Sequence, residues 1–251
     1  MLRNRKIIRI IRIPSLILFY LGIWQLLSMA VGSSLLLPSP IDTMRGLITI
    51  LTDVKSWRDI CATFLRLLAG FSIGAALGII LAIITAGSRL MHSVLAPLRL
   101  VVKSAPVLSF VLILLVSLYS SLVPVAVCAI MVTPMVWATT ETAILSLDKR
   151  LSEMGKIYYR PLKRLLLVAI PQMFPQIATS AVTALGFAWK AVITAEVLSL
   201  PRFAVGNRMY LSKLYLEMPE MFAWTLLVIG LSLCLELLLR KLTSRIGDQH
   251  D

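Results

Sequence analysis

From Ser104 to Thr140 the chain runs for 37 residues without a charged side chain. Further uncharged runs lie between Arg12 and Asp42, between Arg66 and Arg89 and over residues 165–189, while residues 221–239 carry only Glu236. About 20 apolar residues are enough for a helix to cross a hydrocarbon core of roughly 30 Å. A soluble domain of 251 residues has too much surface to cover when 59% of its residues are apolar and only 15% are charged. Ordinary soluble domains have about 45–50% and about 25%. The chain therefore reads as an integral membrane protein. Disorder, collagen and coiled coil are excluded by the same composition.

The runs predict about six spans, near residues 15–35, 67–86, 107–118 with a preceding turn, 123–138, 165–189 and 221–239. The longest run exceeds one helix and is divided at Tyr119, Ser120 and Ser121. The first span is longer than the apolar region of a usual signal peptide, so an uncleaved helix fits it better. Net charge is +13, but the 25 Lys and Arg sit in short clusters between the spans, which sets orientation rather than pointing to nucleic acid. Seventeen lie on the side of the arm with Arg3, Arg5, Lys6, Arg9 and Arg12, and eight on the other. The positive-inside rule then places both termini in the cytoplasm. The expected plan is a basic arm over 1–14, a transmembrane domain over 15–240 and a tail over 241–251. Within the domain lie a cytoplasmic loop at 141–164 and an outer loop at 191–220.

Catalytic groups are scarce. Only His92 and His250 are histidines, and the chain has no metalloprotease, nucleophile-elbow or P-loop motif. Cys61, Cys128 and Cys234 form no CxxC pair and read as small apolar residues. No catalytic, metal or cofactor site is expected on this chain; if ATP drives it, another subunit must hydrolyse the nucleotide. Gly70, Gly74 and Gly78 fall four apart on one helix face, where small residues let another backbone approach; that partner is either within the chain or a second subunit. Pro106, Pro124, Pro134, Pro171 and Pro175 interrupt the later spans, which suits a bundle lining a path. Trp24, Trp57, Trp137 and Trp224 are expected as interfacial anchors or packing residues.

The most informative stretch is the loop after the fourth span. Leu151, Met154, Ile157 and Tyr158 recur at helical spacing, with Lys149, Arg150, Glu153, Lys156 and Arg160 on the remaining face. This predicts a short amphipathic helix stopped near Arg160-Pro161. Such a helix lies on anionic lipid or docks in a partner's groove.

The same residues resemble the "EAA" loop of binding-protein-dependent ABC importer permeases. Glu153 matches its first position, Gly155 stands for its second alanine and Ile170-Pro171 matches its end. The family's glycine is absent, with Tyr159 or Arg160 near its place. Leu37-Pro38-Ser39-Pro40, Thr63 and Arg66 with Gly70-Phe71, Ala188-Trp189-Lys190 with Ala195-Glu196, and Phe222-Ala223-Trp224 are similar, in order, to the nitrate/sulfonate/taurine-type branch. The resemblance implies an all-α polytopic bundle like a type I ABC importer permease, in a bacterial inner membrane. It implies a second permease subunit, two ATP-binding subunits that carry ATP and Mg, and an external solute-binding protein. Glu153, Met154, Gly155, Ile157, Tyr158, Tyr159, Arg160 and Pro171 would couple to the ATPase. Pro106, Ser109, Trp189, Lys190 and Glu196 are candidates for the pathway or its gate. For Lys190 and Glu196 the plain alternative is a snorkelling cation and a loop charge. The rival functions are an ion-gradient transporter, which would want intramembrane carboxylates or histidines, and a membrane scaffold.

Overall fold

The computed structural model describes residues 2–160, 163 and 165–247, and among them there is no strand. In chain order the helices are α1 (Leu2–Val31), α2 (Pro40–Thr52), α3 (Val54–Gly87), α4 (Arg89–Ser104), α5 (Val107–Ser117), α6 (Val123–Leu145) and α7 (Lys149–Tyr158). A π-helical turn (Leu165–Ala169) then leads into α8 (Ile170–Ser199), followed by α9 (Val205–Leu214) and α10 (Met218–Gly247). Four stretches are long and apolar enough to cross a membrane: Val54–Gly87, Val123–Leu145, Leu166–Ser199 and Met218–Leu239. The apolar part of α1, Ser15–Val31, is shorter. The side chains of the basic arm over 1–14, and Pro161, lie outside the described residues.

The expected third span differs most. Helix α5 has 11 residues, about 16 Å at 1.5 Å per residue, and is bent from α4 by 97°. Ala105 precedes Pro106 and takes an extended conformation, as does Pro106 itself, because a residue before proline is pushed out of the helical region. The pair α4–α5 is one broken element, and the expected basic loop before it is helix α4. Ser88 caps that helix, its hydroxyl accepting from the Met91 N–H. The fifth span runs on to Ser199, beyond the expected Trp189. Pro124 and Pro171 sit in the first turns of α6 and α8, where no backbone donor is needed; Pro134 and Pro175 lie inside them.

The chain divides into two compact units. The first comprises residues 1–57 and 208–229. Here Ser39 is the N-cap of α2: its Oγ accepts from the Asp42 N–H at 3.1 Å and donates to the Asp42 carboxylate at 2.7 Å, with Pro40 at the helix start. The Leu37-Pro38-Ser39-Pro40 motif is thus a helix-start signal. Trp24 Nε1–H donates to Pro38 O and Ser28 Oγ to Leu37 O, tying α1 to this segment. Gly46 permits α2 to approach the start of α10, since a Cβ there would stand 3.2 Å from Ala223 Cβ and 3.3 Å from Pro219 O.

A cavity of about 410 Å³ in this unit gathers Asp42, Asp53, Glu217 and Glu220 with Arg208. The Lys55 N–H and the Ser56 hydroxyl hold Asp53 below the usual carboxylate range. Glu217 goes the other way: its hydrogen bond to the Glu220 carboxyl, and that group's charge, raise it above the ordinary 4.5. An acid whose folded pKa is raised holds its proton more tightly folded than unfolded. Its contribution is present below 4.5 and is lost as the pH climbs through the raised folded value. Glu217→Gln should therefore flatten the decline in thermal stability over the pH range just above 4.5; an unchanged stability-against-pH profile would show that the two carboxyls ionise independently.

The second unit comprises residues 58–207 and 230–251. Its centre is α6, with 61% of its membrane-length stretch buried against 28% for α3. Val111 of α5, Val123, Val127 and Met131 of α6, and Ala191 and Ala195 of α8 form a buried apolar cluster. Helix α3 lies directly on α6. A Cβ at Gly70 would come within 2.5 Å of Cys128 Cβ, at Gly74 within 2.7 Å of Ala129 O, and at Gly78 within 2.8 Å of Thr133 O. The glycine stripe therefore packs within the chain, and Thr133 Oγ1 reaches Gly74 O across the same seam at 3.3 Å.

Candidate functional site

Helix α7 starts at Asp148, whose carboxylate accepts from the Arg150 N–H at 2.8 Å. The Asp148 N–H in turn donates to Gln172 Oε1 at 3.0 Å, fastening the start of α7 to the first turn of α8. The helix ends at Tyr158, and the Tyr159 N–H closes on Gly155 O. Gly155 is buried and Leu151, Glu153, Met154, Tyr159 and Arg160 are exposed. The apolar Ile157 and Tyr158 are 80% and 74% exposed, so this short helix between two membrane helices presents an uncovered apolar face. Pro171 lies just after the π turn, half-buried at the start of α8. The eight candidate coupling residues therefore divide into a projecting helix, its exit at Tyr159-Arg160, and Pro171 where the chain re-enters a span.

The candidate pathway residues do not form one group. Pro106 and Ser109 are exposed at the α4–α5 break. On α8, Trp189 is buried, Lys190 is exposed and Glu196 is completely buried. Glu196 is not a loop charge: it lies within α8, and two motifs far apart in sequence converge on it. Thr63 Oγ1 lies 2.9 and 3.0 Å from its two carboxylate oxygens. Arg66 Nη1 donates to it at 2.8 Å and to Phe203 O at 2.7 Å. The first turn of α9 completes the shell, with Gly206 N–H donating to Glu196 at 3.1 Å and Val205 N–H to Thr63 Oγ1 at 3.0 Å. A carboxylate facing a helix N-terminus is in a favourable field. A Cβ at position 206 would stand 2.5 Å from Glu196 Cβ, so glycine is required there for the approach.

A second charged knot was not foreseen. Glu141, near the end of α6, accepts from Arg99 of α4 and pairs with His92 Nδ1 at 2.8 Å. The Arg99 guanidinium lies 5.1 Å from the Trp137 ring centre, and Trp137 Nε1–H donates to Thr85 Oγ1 of α3 at 2.9 Å. Glu141 thus binds the broken α4–α5 element to the helix that leads into α7. The only sequence signal for this was a lone acid at the end of a long uncharged run opposite a basic segment. Among the described residues no cluster of His, Cys, Asp or Glu could hold a metal ion. The three cysteines are free.

The family model described as "Binding-protein-dependent transport system inner membrane component" matches residues 74–248. The chain belongs to this family. Its similarity to individual members extends further: a probable ABC transporter permease protein of Brucella melitensis is 28% identical, over 92% of this chain and 95% of that one. The nitrate import permease protein NrtB of Synechocystis is 27% identical, over 76% of this chain and 72% of its own. Among solved structures, the MetNI methionine ABC transporter in an inward-facing conformation superimposes with a TM-score of 0.60 at 15% identity, covering 81% of this chain and 95% of that chain. That likeness is one of fold. This permease is an integral inner-membrane protein with the helical architecture of a type I ABC permease.

Proposed function

We propose that this permease forms half of the passage of an ATP-driven importer, paired with a second copy or a second permease subunit. In this reading two ATP-binding subunits, which carry ATP and Mg, dock on the α7 helices. A solute-binding protein delivers the solute at the opposite face, and both termini are cytoplasmic. The observation that carries it is α7, a short helix fixed at its start by Asp148 and Gln172 while Ile157 and Tyr158 stand uncovered. Closure of the ATPases on ATP would move α7. Asp148 passes that motion to α8, and Glu141 passes it from α6 to the α4–α5 break, so that a bistable bundle switches access. The nitrate import permease among its relatives supports a small anionic or polar solute, such as nitrate, a sulfonate or taurine.

Purification from the native membrane in mild detergent, with mass spectrometry of accompanying chains, tests this directly. A nucleotide-binding subunit in equal amount is the expected result. If none accompanies the chain, even after cross-linking in intact membranes, the proposal fails and a gradient-driven transporter takes its place.

A further inference from the structure

Helix α8 is sharply two-sided. Ala184, Leu185, Ala188, Val192 and Ala195 are buried, whereas Gln176, Thr179, Thr183, Lys190 and Thr194 are all exposed. These five recur every three, four or seven residues, which places them in one narrow stripe. The stripe runs along a helix long and apolar enough to span the membrane. Threonine alone could face lipid, because Thr179, Thr183 and Thr194 each donate to the carbonyl four residues back. Gln176 and Lys190 have no such relief: neither makes a hydrogen bond or ion pair with the described residues. A bare carboxamide facing hydrocarbon is strongly unfavourable, and polar residues inside a span face a bundle interior or water.

A second observation shows what lies beside the stripe. A cavity of about 640 Å³ opens between α6 and α8, lined by Gln176, Thr179 and Thr183 of the stripe, by Ser180 and Thr139, and by Lys103 from the end of α4. Pro134 and Pro175 face it from the two helices. No carboxylate lines it among the described residues. Glu196, the acid of α8, is turned away and fully engaged with Thr63, Arg66 and Gly206. Met135, Ala138 and the two prolines make much of the cavity wall apolar, and its polar groups are the Gln176 amide, the hydroxyls of Thr139, Thr179, Ser180 and Thr183, and the Lys103 ammonium. Lys190 lies further along the stripe, past the exposed Phe187.

We propose that this stripe and the adjoining cavity line a water-filled path for a small oxyanion. Gln176, Lys103 and Lys190 would supply its hydrogen-bond donors, and the threonines would keep the wall polar. This rests on the importer reading for its direction of transport, but its chemistry can be read without ATP, ATPase or solute-binding protein.

The test is cysteine accessibility in membranes carrying the whole chain, with Cys61, Cys128 and Cys234 replaced by serine or alanine. Thr179→Cys and Thr183→Cys are probed with an anionic and a cationic methanethiosulfonate reagent of similar size, from both membrane faces. Ile83→Cys on α3, exposed in a span with no polar stripe, serves as the lipid-facing control. Both α8 cysteines should react while position 83 stays inert, and the anionic reagent should be about tenfold faster, the scale of electrostatic steering in a lined cleft. Lys103→Gln with Lys190→Gln should remove that preference without abolishing reaction. Inert α8 cysteines from either face would mean that lipid or a packed partner helix covers the stripe, and the proposal falls. Equal rates, or a faster cationic reagent, would leave a wet surface without anion character and overturn it as well. Failure to recover an ATPase would not affect these rates, so the two proposals stand or fall separately.

Discussion

Glu196→Ala is expected to be the most destabilising single substitution in the molecule. The carboxylate is fully buried and accepts from Thr63, Arg66 and Gly206. Removing it strands the Arg66 guanidinium, itself only 14% exposed, with Phe203 O as its remaining partner here. Breaking a buried pair from one side typically costs about 3–5 kcal/mol, a large share of the roughly 5–15 kcal/mol that holds a domain folded. Thermal unfolding in detergent should show Glu196→Ala melting far below the wild type or failing to accumulate. A double variant with Glu196→Leu and Arg66→Met should recover most of the loss, because replacing both charges removes the stranded one. A melting temperature unchanged in Glu196→Ala would show that water or a neighbouring chain satisfies Arg66, and that the knot is not what anchors α9 to α3 and α8.

The sequence revealed the class of this chain more readily than its detail, for physical reasons. Long uncharged runs have one stable environment, so four of the expected spans were legible from charge positions alone, whereas the expected third is the broken α4–α5 pair and the expected first has a shorter apolar part. The Gly70–Gly74–Gly78 stripe was legible as a contact face because small residues four apart have few other uses, although its partner, α6, was not. Helices α2 and α4 were missed. Both are rich in apolar residues, but Asp42 and Arg45 in one and Arg89, Arg99 and Lys103 in the other made them read as charged loops between spans, and their starts depend on single caps at Ser39 and Ser88. Thr63, Arg66 and Glu196 were each noticed, but a separation of 133 residues carries no sign that Thr63 and Glu196 touch. Lys190 was singled out for its charge, whereas its place in a stripe with Gln176 and Thr183 needed the knowledge that α8 continues to Ser199 and which of its faces is covered.

Ile157→Asp on α7 should abolish uptake while leaving the permease folded and inserted. Ile157 touches little of its own chain, being 80% exposed, so its replacement removes almost no internal packing and creates no cavity. Exposed substitutions of this kind usually change stability by about 0.5 kcal/mol or less. In a docked groove the same side chain is an anchor, and losing a buried apolar anchor costs about 2 kcal/mol or more of binding. A carboxylate left in its place adds a desolvation penalty. Since 1.4 kcal/mol is tenfold, ATPase binding should weaken by about thirtyfold or more, measured as the subunit retained on the purified permease. Glu153→Lys, on the polar side of the same exposed helix, should also reduce uptake at normal expression, through charge rather than lost burial. Melting temperature separates the readings: a large fall in Ile157→Asp would make α7 a structural helix of the bundle. Normal uptake in both variants would exclude α7 as the coupling element.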